Sequence, residues 1–269
     1  KRNSSSINKI VGVGYPFDFN FSSAKIKGSK VRKLLKNNNA QKILSIFDGS
    51  AAEDERWSVG KFNFQKDYQF ILQKVLKEDW LGLIIKSKKP GSLRKNLGDA
   101  SELLDNAIST GRCFFSEDTD YVDKNLSIRP AEAAYASDIA IHFCLYAGTA
   151  GLEAALTGTP TLLLDHYNLK YSQFYKMDKE KVVFQEFADL WDELKTHWRK
   201  KPISNFGNWS NIIDDIEPFR DGKAAHRINS FLNSLLEGFK AGFDREKNIE
   251  IAVEKYCNKW GSENVISFS

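Results

Sequence analysis

Residues 137–165 read SDIAIHFCLYAGTAGLEAALTGTPTLLLD, and the fold turns on how this stretch is parsed. The apolar run Ile139–Leu145 is too short for a typical helix and suits a buried strand. Ala147-Gly148-Thr149-Ala150-Gly151 then forms a small-residue turn, and Leu152–Thr157 a brief helix that Gly158 stops and Pro160 prevents from continuing. Thr161–Leu164 is a second buried strand, ending at Asp165-His166. The unit is strand, Gly-rich turn, helix, strand. In such a unit the unpaired N–H groups and dipole of the helix's first turn favour an anion just outside the strand's carboxyl end. On this parsing Glu153 sits in that first turn, within reach of a sugar hydroxyl. The plainer alternative is that the glycines only permit tight strand–helix packing while Glu153 complements the dipole. Turn chemistry by itself leaves both open.

Working outward, strands are expected at Ile43–Phe47, Trp80–Lys86, Arg112–Phe115 and Val182–Phe184. Helices are expected between them at Gln65–Leu76, Leu93–Ile108 and Pro130–Ala136, then at Phe187–Trp198. Alternation of this kind predicts an α/β fold, a Rossmann-like doubly wound and largely parallel sheet with helices on both faces. Upstream, Lys9–Tyr15 reads as a short strand and Lys30–Lys36 as a short helix. Gly12 and Gly14 resemble the start of a dinucleotide fingerprint, but the third glycine and the following helix are missing. Beyond residue 203 the chain is helical in character, at Trp209–Ile216, Ala224–Phe239 and Arg245–Trp260. The expected division is a leading segment or linker over 1–40, the Rossmann-like domain over 41–200, and a C-terminal helical extension over 201–269 packed on it.

Ligands of doubly wound sheets bind outside the carboxyl ends of the strands. The polar residues expected there are Asp48-Gly49-Ser50, Lys86-Ser87, Ser116-Glu117-Asp118, Gly148-Thr149 and Asp165-His166. The fold gathers them on one rim, which favours a functional reading of the glycine turn. His142, in mid-run, reads as a core histidine, and Arg56 and Lys61 as surface residues.

Composition narrows the partners. The 269 residues are 28% charged and 42% hydrophobic, with a net charge of +4 spread along the chain, so nucleic acid is not the expected partner. A mildly basic surface suits anionic ligands or the edge of an anionic membrane. Cys113, Cys144 and Cys257 lack metal-site spacing and read as free thiols in a reducing, cytoplasmic compartment. The four histidines show no HExxH pattern, so no metal and no cofactor is called for. No stretch is apolar for long enough to cross a bilayer.

GTAGLEAALTGTP, with a strand before it and TLLLD after, resembles the nucleotide-sugar half of GT-B glycosyltransferases, above all those building bacterial surface polysaccharides and lipopolysaccharide. IIKSKKP resembles the basic strand end of these enzymes, and ERWSVGKF (Glu55–Phe62) the loop after their first strand. PFRDGKAAHRINSFLNSLLEGF (Pro218–Phe239), with Tyr256 and Trp260-Gly261, is similar to their terminal helices. The resemblance covers roughly 40–265, and nucleotide-sugar epimerases share much of the GTAGLEA core. It implies a transferase whose substrates are a nucleotide-sugar donor and a glycan or lipid-linked glycan acceptor. By position, Gly148, Thr149, Ala150 and Gly151 would hold the phosphates, Glu153 the ribose, and Gly49, Ser50 and Ser87 would close on the donor. Lys86 would neutralise the departing phosphate as the catalytic group. GT-B enzymes pair two Rossmann-like domains and only one is visible here, so a further domain of the same protein is an expected partner. The expected location is the cytoplasm, with peripheral association with the inner face of the membrane as the alternative. The competing expectations are a nucleotide-sugar epimerase, a CDP-alcohol phosphotransferase, or a non-catalytic half that binds a glycan or partner.

Overall fold

The computed structural model describes residues 8–49, 60–115, 127–146, 148–177 and 181–268. Two compact units emerge, one of Phe21–Ile213 and one joining the residues up to Asn20 with those from Asp214 onward. The chain opens with β1 (Lys9–Val11), α1 (Phe21–Asn37), β2 (Lys42–Phe47), α2 (Lys61–Lys77) and β3 (Leu81–Lys86). Next come α3 (Leu93–Leu97), α4 (Ser101–Ser109), β4 (Cys113–Phe115), α5 (Pro130–Ala136), β5 (Ile139–His142) and α6 (Gly148–Leu156). β6 (Thr161–Leu164), β7 (Val183–Phe184), α7 (Phe187–Arg199) and α8 (Ser210–Ile216) complete the larger unit, apart from the last turn of α8. The remainder holds α9 (Ala224–Lys240), α10 (Arg245–Trp260) and β8 (Val265–Ser267).

In the larger unit, six strands form a parallel sheet in the order β4-β3-β2-β5-β6-β7. The expected α/β, Rossmann-like doubly wound architecture is therefore present. Both faces of the sheet are covered, which is why its strands read as unbroken apolar runs. Side chains alternate across the pleat. Leu44 and Ile46 join Tyr68, Leu72 and Trp191 on one face, while Ile43 and Phe47 join Val31, Leu35, Ala134 and Ala154 on the other. Burying each large aliphatic or aromatic side chain in these two layers contributes about 1.5–3 kcal/mol. Ser45, the buried polar residue of β2, is paired with the Ser137 hydroxyl at 3.0 Å.

Local chemistry fixes how the layers close. The Arg112 guanidinium donates to the carbonyls of Val75, Glu78 and Leu81 at 2.8–2.9 Å, satisfying acceptors where α2 hands over to β3. Asp138 receives the Ile43 amide at 2.8 Å and the Arg32 guanidinium at 2.7 Å, tying β2 and α1 to the start of β5. Helix α1 lies close on α5 because position 28 is glycine. A Cβ there would sit 2.6 Å from the Glu132 carbonyl oxygen and 2.9 Å from Tyr135 Cβ.

Several boundaries differ from expectation. α1 runs over 21–37 rather than 30–36 and belongs to the sheet unit, so the units meet at 20/21 and 213/214 rather than at 40 and 200. Its buried face holds only Ala24, Gly28, Val31 and Leu35, a helical spacing with little apolar bulk to show in sequence. The helix expected over 93–108 is interrupted at Gly98, whose φ of +57° breaks it into α3 and α4. β5 ends at His142 rather than Leu145, and α6 begins at Gly148 rather than Leu152. Glu153 consequently lies in the second turn of α6, not the first.

The smaller unit pairs β1 with β8 in antiparallel register, Ile10 opposite Ile266. β8 is three residues long and was not foreseen as a strand. The Tyr256 hydroxyl donates to the Gly12 carbonyl at 2.5 Å. The Arg227 guanidinium is held by Asp221 and stacks 3.5 Å from the Phe219 ring centroid. Asp244 caps α10 by accepting the Lys247 amide at 2.9 Å.

Candidate functional site

The order of the sheet reverses between β2 and β5, where β3 and β4 lie to one side and β6 and β7 to the other. Phe47 and His142 are the last paired residues across this switch point. A cleft of about 1010 Å³ opens just beyond them, where doubly wound sheets hold ligands. Its walls come from four strand ends, the start of α5 at Pro130, and α6. Asp48 and Gly49 follow β2, Lys86 and Lys88 follow β3, the segment from His142 to Tyr146 follows β5, and Asp165 to Tyr167 follow β6. Gly148, Thr149, Ala150 and Glu153 of α6 complete it.

The first turn of α6 forms one side of the cleft. Gly148 has a φ of +47°, a left-handed conformation that a side chain would strain, and it brings the backbone into the helix at the cleft wall. The amides of this turn have no partners further back in their own helix. Glu153, one turn on, reaches across to accept the Ala131 amide of α5 at 3.1 Å. Its carboxylate therefore borders the cleft and closes a neighbouring helix end at once.

Opposite α6, the chain beyond β2 and β3 is knit by one buried carboxylate. Asp48 is 5% exposed, accepting the Tyr68 hydroxyl at 2.7 Å and the Lys88 amide at 2.6 Å. Burial raises its pKa against the pull of these bonds and of Lys86. Lys86 is half-buried and donates to the Ser87 carbonyl at 2.9 Å. Burial lowers the Lys86 pKa, while the charges of Asp48 and Glu153 work to raise it. The ammonium thus sits between two carboxylates in a partly dehydrated setting, where an incoming anion feels it strongly.

The wall after β6 is a braced loop. Asp165 accepts the Tyr167 and Leu169 amides at 3.2 and 2.6 Å and the Tyr175 hydroxyl at 2.5 Å. Burial, with the Asp165 carboxylate, raises Tyr175 to about 12. The His166 Nε2 lies 2.7 Å from Asp67 of α2, both side chains almost fully enclosed. Burial alone would lower the His166 pKa, but the hydrogen bond and charge of Asp67 outweigh it and raise it. Tyr167 receives the Gly60 amide on its hydroxyl at 3.0 Å. At the mouth stand Tyr146 and Tyr167, 70% and 40% exposed.

Of the residues singled out in the sequence, Gly49, Lys86, Gly148, Thr149, Ala150 and Glu153 meet in this cleft. Ser87 and Gly151 do not line it. Ser87 is buried, its hydroxyl taken by Asp48 and the Lys89 amide, and Gly151 is buried within α6. Ser50, Arg56, most of the ERWSVGKF loop and the acidic loop 117–123 lie outside the described residues. Lys61 is exposed at the start of α2.

His142 is buried and hydrogen-bonded as expected of a core histidine, but it ends β5 instead of standing in mid-strand. It is 4% exposed, as a core residue would be, yet it lines the cleft. Its Nδ1 lies 3.0 Å from the Cys144 carbonyl and 3.2 Å from the Cys144 amide. Burial pushes its pKa down to about 4, so the imidazole is neutral near pH 7. A polar residue closing an apolar run, one place before the chain leaves the sheet, was the available signal. It was masked because the run continues through Phe143 and Leu145, both buried. No family model, curated protein or solved structure matches this chain.

Proposed function

We propose that the sheet unit binds the nucleotide of an activated sugar and that the chain acts as the donor-binding part of a glycosyltransferase. The observation that carries this reading is the cleft at the β2/β5 switch point. There the first turn of α6 and the Lys86 ammonium face a common space bordered by Glu153. Helix N-terminal amides and a lysine suit phosphate, and a carboxylate suits ribose hydroxyls. Lys86 would favour the leaving phosphate as its charge grows, which is where electrostatic stabilisation acts most strongly. The resemblance of GTAGLEAALTGTP to GT-B donor domains supports the same reading. The exposed tyrosines at the mouth offer flat faces for a base or a sugar ring.

The acceptor in this reading is a glycan or lipid-linked glycan at the inner face of a membrane, with a further domain supplying the acceptor side. α1 carries no acidic residue and exposes Lys25, Lys30 and Lys33 beside Ile26 and Leu34, a face suited to anionic headgroups. No helix among the described residues is long and apolar enough to cross a membrane.

The test is calorimetric titration of the chain with UDP, GDP, CDP and CMP, followed by product analysis with the sugar nucleotide of whichever binds. Binding of one nucleotide well above the others, with its sugar passed to an acceptor, is the expected result. Failure of all four to bind removes the reading. Interconversion of the sugar without transfer replaces it with an epimerase.

A further inference from the structure

We propose that His142 is a ligand of the donor's phosphate, giving its Nε2–H as an uncharged hydrogen bond to the phosphoryl oxygen seated on the first turn of α6. The proposal rests on the nucleotide-binding reading above and adds to it a residue that nothing in the sequence pattern supplied.

Two independent features meet at one point. The first is the amino end of α6, a helix of nine residues whose leading residues line the cleft. The second is the His142 ring. Its Nδ1 is occupied by the Cys144 backbone, whereas no hydrogen bond reaches Nε2 among the described residues. That nitrogen points at α6, since a Cβ built on Gly148 would stand 3.8 Å from it. The side chain is 96% enclosed, and Nε2 is the part of it left open, an unpaired nitrogen turned into the cleft where water or a bound oxygen can pair with it.

The ring can present either a lone pair or an N–H, and its own backbone decides which. Nδ1 can donate to the Cys144 carbonyl, leaving a lone pair on Nε2, or accept from the Cys144 amide, placing the hydrogen on Nε2. Cys144 serves both tautomers. An anion on the α6 turn repels the lone pair and selects the Nε2–H form, with no charge added to the protein. The rigid placement of His142 at the end of β5, in register with Phe47, holds this donor on the floor of the cleft.

The test uses His142→Asn and His142→Gln in the full chain. Asparagine has its amide near the Nδ1 position and abandons Nε2, whereas glutamine extends a donor toward it. With the nucleotide that binds wild type best, His142→Asn should bind about tenfold more weakly, within the range of a hydrogen bond to a charged group. His142→Gln should recover most of that loss, and the matching nucleoside without phosphate should bind all three proteins alike. In parallel, ¹⁵N-histidine NMR of wild type should show Nε2 protonated in the nucleotide complex. Wild-type binding with an unchanged affinity in folded His142→Asn overturns the proposal while leaving the nucleotide site standing. A lone pair on Nε2 in the complex overturns it too, and decides the matter if the variants do not fold. Absence of nucleotide binding by wild type removes the underlying reading, and this inference with it.

Discussion

The carboxylate of Glu153 accepts the Ala131 amide hydrogen bond at 3.1 Å, joining the second turn of α6 to the first turn of α5. The Ala131 amide is one of the donors that a helix start leaves without a partner. Pro130 carries no N–H, and the Glu132 side chain turns back to the Arg129 amide at 2.8 Å. Glu153 therefore holds the cleft's edge in place whether or not anything is bound.

This dual contact separates two variants. Glu153→Ala loses the Ala131 bond and should cost about 1 kcal/mol of stability, as loss of a cap does. Glu153→Gln keeps an acceptor for Ala131 and should match wild type in urea unfolding. Both should weaken nucleotide binding, by roughly tenfold or more if the carboxylate accepts a ribose hydroxyl. Wild-type affinity in Glu153→Gln, measured by calorimetry, would confine Glu153 to bracing α5.

Lys86 and Lys89 offer a comparison within one segment. Lys86 is half-buried at the cleft, while Lys89 is exposed and does not line it. Lys88 is exposed but borders the cleft, so it is no control. In transfer assays Lys86→Ala should lower kcat more than it raises the donor KM, because phosphate charge grows as the glycosidic bond breaks. Lys89→Ala should alter rates little, and only at low salt. Equal effects from the two would reduce Lys86 to part of a general basic surface.

The acid sensitivity of the fold should carry a signature of His142. Its folded pKa of about 4 lies below the ordinary 6.5, so between those values the unfolded chain binds the extra proton. The stabilisation is fully present above pH 6.5 and is lost as pH falls toward 4. Its size over that interval is on the order of 3 kcal/mol. Asp48 and Asp67, whose burial raises their pKa values, work in the opposite sense, so the comparison must be between wild type and His142→Gln. Urea midpoints should fall less between pH 6.5 and 4.5 in the variant. Parallel pH profiles would show the imidazole to be no more buried than a surface one.

What the sequence disclosed follows from what side chains advertise. The buried strands were legible because both faces of the sheet are covered, leaving Leu44, Ile46, Leu83 and Ile85 among runs of apolar neighbours. Helix starts were less so. Glycines 148 and 151 argue for a turn by composition, yet both lie in α6. The short α1 expectation failed for the opposite reason, since a packing face of Ala24 and Gly28 carries almost no hydrophobic signal. Within the site, residues reaching the cleft from strand ends could be named in advance. Tertiary pairings such as Glu153 with Ala131, or His166 with Asp67 across 99 residues, have no local trace.

Gly28 makes the α1–α5 contact testable. With a Cβ 2.6 Å from the Glu132 carbonyl oxygen, Gly28→Ala forces the helices apart against a backbone atom that cannot turn away. Overpacking should outweigh the gain in helix propensity and cost about 1–3 kcal/mol. Equilibrium urea unfolding measures it. A stabilised variant would mean that α1 rides on α5 without close packing.

The pairing of β1 with β8 has a consequence for how the molecule is made. Lys9 and Ser267, bonded side chain to side chain at 2.8 Å, are 258 residues apart. Four of the five parallel pairings of the sheet close over a few dozen residues and β2 with β5 over 95, so these strands can meet while the chain is still emerging from the ribosome. Among the described residues β1 pairs only with β8, so it waits for a partner strand made some 258 residues later. Because loop-closure entropy grows only slowly with length, the delay is imposed by synthesis far more than by search. Through that interval β1 presents open backbone edges, on which a chaperone can act.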